Sequence, residues 1–324
     1  MKLKGKHFKG MAGAYAAMFT PIDARNRINE EAIDQMIEFG IANGLAGFYL
    51  TGSTGAWFLM TAEERKTVWR RAVKAANGRC KLIAHVGATS TDESVALASA
   101  AADIGVDWLS SIPPPVFGNR FETAFRHYKA VSEATDLPFM VYSIGADIVP
   151  ERDIGFFRLK NVLGMKYTGS DYYAVQALKR DLDRRKETIW FAGRDEQLLC
   201  ALALGNVFSG GIGTTYNIIP RHFAEICRLS AEGDFMSAAR LQDEANRVVR
   251  LMVEPENWTL RKSMMKYVGI DCGPYRMPFG PVPRSAERKF LARFASLGIV
   301  QKGAAHGIHG GEKLSMKTKK GTRP

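Results

Sequence analysis

The 324-residue sequence is short of several things, and each shortage closes off a class of function. It has four cysteines, Cys80, Cys200, Cys227 and Cys272, widely spaced and without a Cys-x-x-Cys pair, which excludes a disulfide framework and a zinc ribbon. Three lie in apolar helix or strand patterns and are expected to be free buried thiols, in keeping with a reducing cytoplasm. The six histidines show no His-Glu-x-x-His or similar spacing, so no metal site is expected, although His306-Gly-Ile-His309 could collect a stray ion. No apolar run approaches the roughly 18 to 20 residues of a membrane span. The basic start and the stretch Ala14 to Phe19 resemble a signal peptide only superficially, because that stretch runs into Thr20-Pro21 and reads as the first core strand.

Acidic residues are also in the minority, 33 against 45 basic ones, for a net charge of +12. The excess is local. Residues 1–10 carry four lysines and no acid, residues 301–324 carry a net +5, and the body between them keeps only +3. A Gly/Lys-rich terminus without interleaved aromatics reads as a solvated, disordered tail, so nucleic acid is not the expected partner.

Short apolar runs recur along the chain, each followed by a longer amphipathic stretch. The runs are 14–20, 47–51, 81–86, 106–112, 138–144, 161–167, 188–193 and 206–213. Between them lie helical patterns with capping signals, such as Thr61 followed three residues on by Glu64. Continuous apolar strands alternating with helices predict a parallel sheet covered by helices. Eight units of a little under 30 residues predict a (β/α)8 TIM barrel with a C-terminal helical extension. The barrel strands and their helices are assigned to 11–219, the last barrel helix and the extension to 220–300, and the basic tail to 301–324. A doubly wound sheet is the alternative, but Thr20-Pro21-Ile22 is not a dinucleotide fingerprint.

Barrel chemistry collects at the C-terminal ends of the strands. Lys166 is the sharpest feature there, a lone charge in Val162-Leu163-Gly164-Met165-Lys166-Tyr167, with Gly164, Lys166 and Thr168 on one face. Desolvation favours the neutral amine, which can attack a ketone and form a Schiff base; the alternative is a lysine that snorkels to solvent. Tyr142 ends strand 5 next to it and can move protons, or else serve as a core aromatic. In Gly52-Ser53-Thr54-Gly55, Ser53 and Thr54 can hold a carboxylate or merely cap a helix. Asp195 and Glu196 can bind polyol hydroxyls or charge the first turn of helix 7. The glycines of 210–213 can admit a ligand close to the backbone or bind phosphate.

The order GSTG, Tyr142, GMKYT, GRDE, GGIGTTYN, with the late Asp271-Cys-Gly-Pro-Tyr-Arg-Met-Pro-Phe stretch, resembles the N-acetylneuraminate lyase and dihydrodipicolinate synthase family of class I pyruvate-dependent aldolases, over most of 11–300. The resemblance implies Lys166 as the Schiff-base lysine, Tyr142 as the proton-transferring phenol, and Ser53, Thr54 and Thr168 around a substrate carboxylate. It implies no cofactor beyond that covalent imine, a small 2-oxo acid as the only ligand, and a homotetramer built from dimers. Gly193, Asp195, Glu196, Gly213 and Thr214 match the lyase branch, where the sugar-like tail binds. No arginine follows Tyr142, which disfavours a synthase-type condensation. Three departures stand out. Ala56 occupies the position of the usual glutamate after the glycine turn. Pro113-Pro114-Pro115-Val116-Phe117 replaces paired tyrosines, and Ser143-Ile144-Gly145-Ala146-Asp147 replaces an Asn-x-Pro turn. The expected activity is cleavage or dehydration of a 2-keto-3-deoxy sugar acid or a sialic-acid-like substrate. The alternatives are a non-catalytic keto-acid binder, motivated by Ala56 and Phe117, and a sugar-phosphate enzyme using the strand 8 glycines.

Overall fold

The computed structural model describes residues 7–116, 120–145 and 147–305, with 255–257 as backbone only. Phe117, Ala146 and the tail from His306 onward, with His309, lie outside the described residues.

Eight strands alternate with helices in chain order: β1 Gly13–Ala17, β2 Gly47–Leu50, β3 Lys81–His85, β4 Trp108–Ser111, β5 Phe139–Ile144, β6 Val162–Thr168, β7 Ile189–Ala192 and β8 Gly210–Gly213. All pair in parallel, and β8 closes on β1, so the sheet is a closed eight-stranded barrel with no free edge. The expected TIM barrel is therefore present. The strands fall within the apolar runs, except that β1 starts one residue early and β6 runs one residue further, through Thr168. Parallel strands are buried on both faces, so their apolar runs are nearly unbroken and easily read.

The helices begin where local chemistry starts them. Helix α1 (Glu30–Ala42) is capped by Asn29, whose side chain accepts from Ala32 N–H. Helix α2 (Ala62–Ala76) carries the reciprocal Thr61/Glu64 capping box. Helix α3 (Thr91–Ile104) has Ser90 at its start and Gly105 in the left-handed conformation at its end. Helices α4 (Phe121–Glu133), α5 (Pro150–Asp153), α6 (Tyr172–Asp183), α7 (Leu198–Leu202) and α8 (Pro220–Glu232) complete the outer ring. Beyond it, α9 (Phe235–Val253), α10 (Arg261–Val268) and α11 (Arg284–Ser296) form the helical extension.

Two apolar layers result. The larger lies between sheet and helices; the smaller fills the barrel with Tyr15, Tyr49, Ile83, Trp108, Met140, Phe191 and Ile212. Phe8 and Met11 join the inner layer from the N-terminal side, fixed by Tyr15 Oη donating to Met11 O (2.8 Å) and Trp108 Nε1 donating to His7 O (3.1 Å). They plug the lower end. The cysteines are free, but only Cys272 is buried; Cys80 and Cys227 are half-buried and Cys200 is exposed. The five-residue α7 is too short for its apolar composition to report which side faces inward.

The extension is tied to the barrel by a buried cation. Lys262, on α10, donates to Thr20 O (2.6 Å), Pro274 O (3.0 Å) and Cys272 O (3.4 Å), joining the β1 loop to the late Asp271–Phe279 stretch. Lys262→Met would leave three carbonyls without this donor. We expect a loss of roughly 2–4 kcal/mol of stability, read from the denaturant midpoint of the purified protein.

Candidate active site

Lys166 sits opposite Tyr142 on β5 and Phe191 on β7 in the strand register. A register shift between Phe139 and Met140 takes up one extra residue in β6, so that Met140 pairs with Gly164 rather than Leu163. This offset keeps Gly164, Lys166 and Thr168 on the barrel-facing side while Met165 and Tyr167 pack under the helices. Only 5% of Lys166 is exposed. Its Nζ lies 3.9 Å from the ring centre of Tyr142 and 4.7 Å from that of Tyr49. Lys166 therefore does not snorkel; it is held at the mouth between two aromatic faces.

Tyr142 is buried beside it. Burial would raise its phenol, but the Lys166 charge and the polar atoms of Lys166, Thr168 and Ser53 around it outweigh that and hold it below the ordinary phenol value. Thr168 Oγ1 is itself buried and has no hydrogen bond of full geometry, so it is available to a ligand. Tyr49 supports the pair from below, with its Oη donating to Ser110 Oγ (3.0 Å). Tyr49 does not stand at a strand end, but it shares the inward face of β2 with Gly47, where a Cβ would meet the inward Tyr15 ring.

The Gly52–Gly55 turn is pinned from behind. Thr51 has a left-handed φ of 50°, and Ala56 one of 53°. Thr51 Oγ1 accepts from Trp69 Nε1 (2.9 Å) and donates to His85 O (3.2 Å). His85 Nδ1 lies 3.2 Å from Thr51 O, which can only accept, so the proton is on Nδ1. His85 Nε2 then accepts from Ile112 N–H (3.4 Å). Burial, with the nearby Arg65 and Lys166 charges, drives this imidazole well below its usual range. It is a neutral strut. The turn itself closes through Ala56 N–H to Ser53 O (3.0 Å) and Trp57 N–H to Gly52 O (3.3 Å). Among the described residues the backbone N–H groups of Ser53, Thr54 and Gly55 have no partner, as an anion cradle requires.

Behind Ala56 lies a buried cation without a carboxylate. Arg65 is 2% exposed, donates to Gly87 O (2.9 Å) and to His85 O, and packs against Trp57 and Trp69. Burial lowers its guanidinium to about 10. Trp57 fills the adjoining space, 5.8 Å from the His85 ring. The odd exit of the turn is thus an aromatic wedge over a buried arginine.

The β7 and β8 loops form the opposite wall. Thr54 Oγ1 and Thr214 Oγ1 are 2.6 Å apart, so the two loops touch across the mouth. Asp195 Oδ2 accepts from Thr215 N–H (2.7 Å), and Asn217 Nδ2 donates to Ala17 O (2.7 Å) and Thr214 O (2.8 Å). Gln242 and Asn246 on α9 donate to Asp195 O (3.0 Å) and Glu196 O (3.3 Å), holding the β7 loop from outside. Glu196 reaches solvent and pairs with Arg194 Nη1 at 3.2 Å. The glycines are required by space: a Cβ on Gly193 would collide with Thr168 Oγ1, and one on Gly213 with Asp195 Oδ1 and the Tyr216 ring. Beside Tyr142, on the outer side of β5, a cavity of about 230 Å³ lined by Pro113, Pro114, Pro115, Ile148 and Phe156 occupies the region of the replaced tyrosines.

Two outcomes follow from this packing. Gly213→Ala should cost roughly 1–3 kcal/mol of stability, measured by chemical denaturation. Burial pushes the Asp195 carboxyl up to about 6, against the hydrogen bonds from Thr215. The folded chain therefore holds this proton more tightly than the unfolded one. The contribution is complete below the unfolded value of about 4 and is lost as pH rises through about 6. Asp195→Asn keeps an acceptor for Thr215, so it should melt with the wild type at pH 4 and above it at pH 7.

The comparisons with known proteins agree with the barrel fold. Residues 10–296 match the model of the dihydrodipicolinate synthetase family. The N-acetylneuraminate lyase of Escherichia fergusonii is 33% identical over 291 residues, covering 87% of this chain and 96% of that protein. Among solved structures, N-acetylneuraminate lyase from Fusobacterium nucleatum complexed with pyruvate superposes with a TM-score of 0.82 at 27% identity, covering 89% of this chain and 97% of that one. A dihydrodipicolinate synthase superposes with a TM-score of 0.81 at 26% identity, covering 89% and 100%. The chain belongs to the dihydrodipicolinate synthetase family and is a lyase of the class I aldolase type.

Proposed function

We propose that this protein cleaves or dehydrates a 2-oxo acid through a Schiff base on Lys166. The observation that carries the reading is the Lys166 amine, buried 3.9 Å from the ring centre of Tyr142, whose phenol it shares with Ser53 of the turn where the 53–55 N–H groups have no partner among the described residues. The turn, with Ser53, Thr54 and Thr168 hydroxyls, holds the substrate carboxylate and so presents the C2 carbonyl to Lys166. The amine adds to C2, and the carbinolamine loses water to give the iminium, which is the electron sink; no separate cofactor is needed.

In the cleavage branch, the Tyr142 phenolate takes the proton from the C4 hydroxyl as the C3–C4 bond breaks. Its lowered phenol value suits that step. The aldehyde leaves, the enamine takes up a proton at C3, and hydrolysis of the iminium returns pyruvate and the free amine. In the dehydration branch, a C3 proton is removed first and the enamine expels the C4 hydroxyl as water. Asp195, Glu196, Thr214 and the open backbone at Gly193 and Gly213 are assigned to the hydroxylated tail. The match to N-acetylneuraminate lyases supports a sialic-acid-like or 2-keto-3-deoxy sugar acid; the homotetramer built from dimers rests on the family resemblance of the sequence alone.

Incubation with pyruvate and borohydride should add one reduced pyruvyl group at Lys166, located by peptide mass spectrometry. Lys166→Ala should lose the adduct and at least about a thousandfold in turnover. A folded wild-type protein that gains no adduct would overturn this reading.

A further inference from the structure

Among the described residues, Arg261 has no ionic partner. Arg261 opens α10, just past the end of α9. Its guanidinium carbon lies 3.9 Å from the centre of the Trp258 ring, and its Nε donates to Met252 O (3.1 Å). Among the described residues its Nη groups have no hydrogen-bond or ion-pair partner, and they remain in contact with solvent. A half-buried guanidinium spending one of its five N–H donors on protein is an open fork.

Its position is fixed by contacts that lead back to the proposed tail subsite. Met252 Sδ receives Thr215 Oγ1 (3.8 Å), and Thr215 N–H donates to the Asp195 carboxylate. Asp195 lies within electrostatic reach of Lys166 on one side and of Arg261 on the other. A wall of aromatic rings joins the same two ends: Trp57, next to the carboxylate cradle, meets Phe58 (6.0 Å between ring centres), Phe58 meets Phe279 (6.4 Å), and Phe279 meets Trp258 under Arg261 (5.8 Å). Two chains of contacts thus run to the Arg261 guanidinium, one of rings from the Gly52–Gly55 turn and one from Asp195 through Thr215 and Met252.

We propose that Arg261 binds a second carboxylate at the far end of the substrate, so that the sugar-acid-like substrate of the proposed site is a 2-oxo diacid. The inference rests on the Schiff-base reading above and names the substrate class for that site. A carboxylate matches the planar fork, and it adds one negative charge beside Asp195 and Glu196, where a phosphate would add nearly two.

The test is borohydride trapping on the full-length protein. 2-Oxoglutarate, 2-oxoadipate and 2-oxopimelate are compared with 2-oxopentanoate, 2-oxohexanoate and 2-oxoheptanoate, reading the concentration that half-modifies Lys166. At least one diacid should trap at about a tenfold lower concentration than its chain-matched monoacid. Arg261→Met should abolish that preference, Arg261→Lys should keep part of it, and pyruvate trapping should be unchanged in both. Diacids that trap no better than monoacids, or a variant that weakens both equally, overturn the proposal while pyruvate trapping keeps the Schiff-base reading. Stronger trapping of 2-keto-3-deoxy-6-phosphogluconate than of every diacid overturns it in favour of a phosphate. Absence of any pyruvate adduct overturns both readings.

Discussion

The structure turns on keeping one amine out of water. Removing an ammonium from solvent costs several kcal/mol, and among the described residues no carboxylate makes an ion pair with the buried Lys166. Two ring faces, of Tyr142 and Tyr49, cover it, each supplying up to about 2 kcal/mol when desolvated. That arrangement needs a closed parallel barrel, since no other packing brings β2, β5 and β6 side chains to one axis. It also needs the one-residue offset in β6. Without that offset the pairing with β5 would slip, and Lys166 would turn under the helices.

Around this centre the mouth alternates in charge. Asp195 lies within electrostatic reach of both Lys166 and Arg261, while Arg65 is buried beside Trp57 at the exit of the Gly52–Gly55 turn. Arg65 donates through its Nη groups to the Gly87 and His85 carbonyl oxygens and packs on two indole faces, while its buried Nε has no hydrogen-bond partner behind Ala56. The carboxylate and tail subsites are not independent either. The Thr54–Thr214 hydrogen bond joins them, and a carboxylate that takes the Thr54 proton leaves Thr214 as the donor in that bond.

The features legible in the sequence were those carried by local contrast. Parallel strands show as unbroken apolar runs, and Thr61 with Glu64 announces α2. Lys166 stands out because it is a charge where none belongs. Tyr49 was hidden for the opposite reason: an aromatic in an apolar run looks like core. The Thr54–Thr214 contact joins residues 160 positions apart, and no spacing rule reports it. The extra residue in β6 is invisible because Leu163 suits either face. Arg261 sits among other basic residues at the start of α10, and only the fold shows that it has no ionic partner.

Phe8 and Met11 close the barrel from below, and this plug gives the proposed site a direction. Traffic has one doorway. A fragment tethered through Lys166 sits deeper than the tail that hangs toward Arg261, so the outer fragment stands between it and solvent. In the proposed cleavage branch this imposes a queue: the aldehyde departs first, and pyruvate follows only after the tether is hydrolysed by water entering along the vacated path.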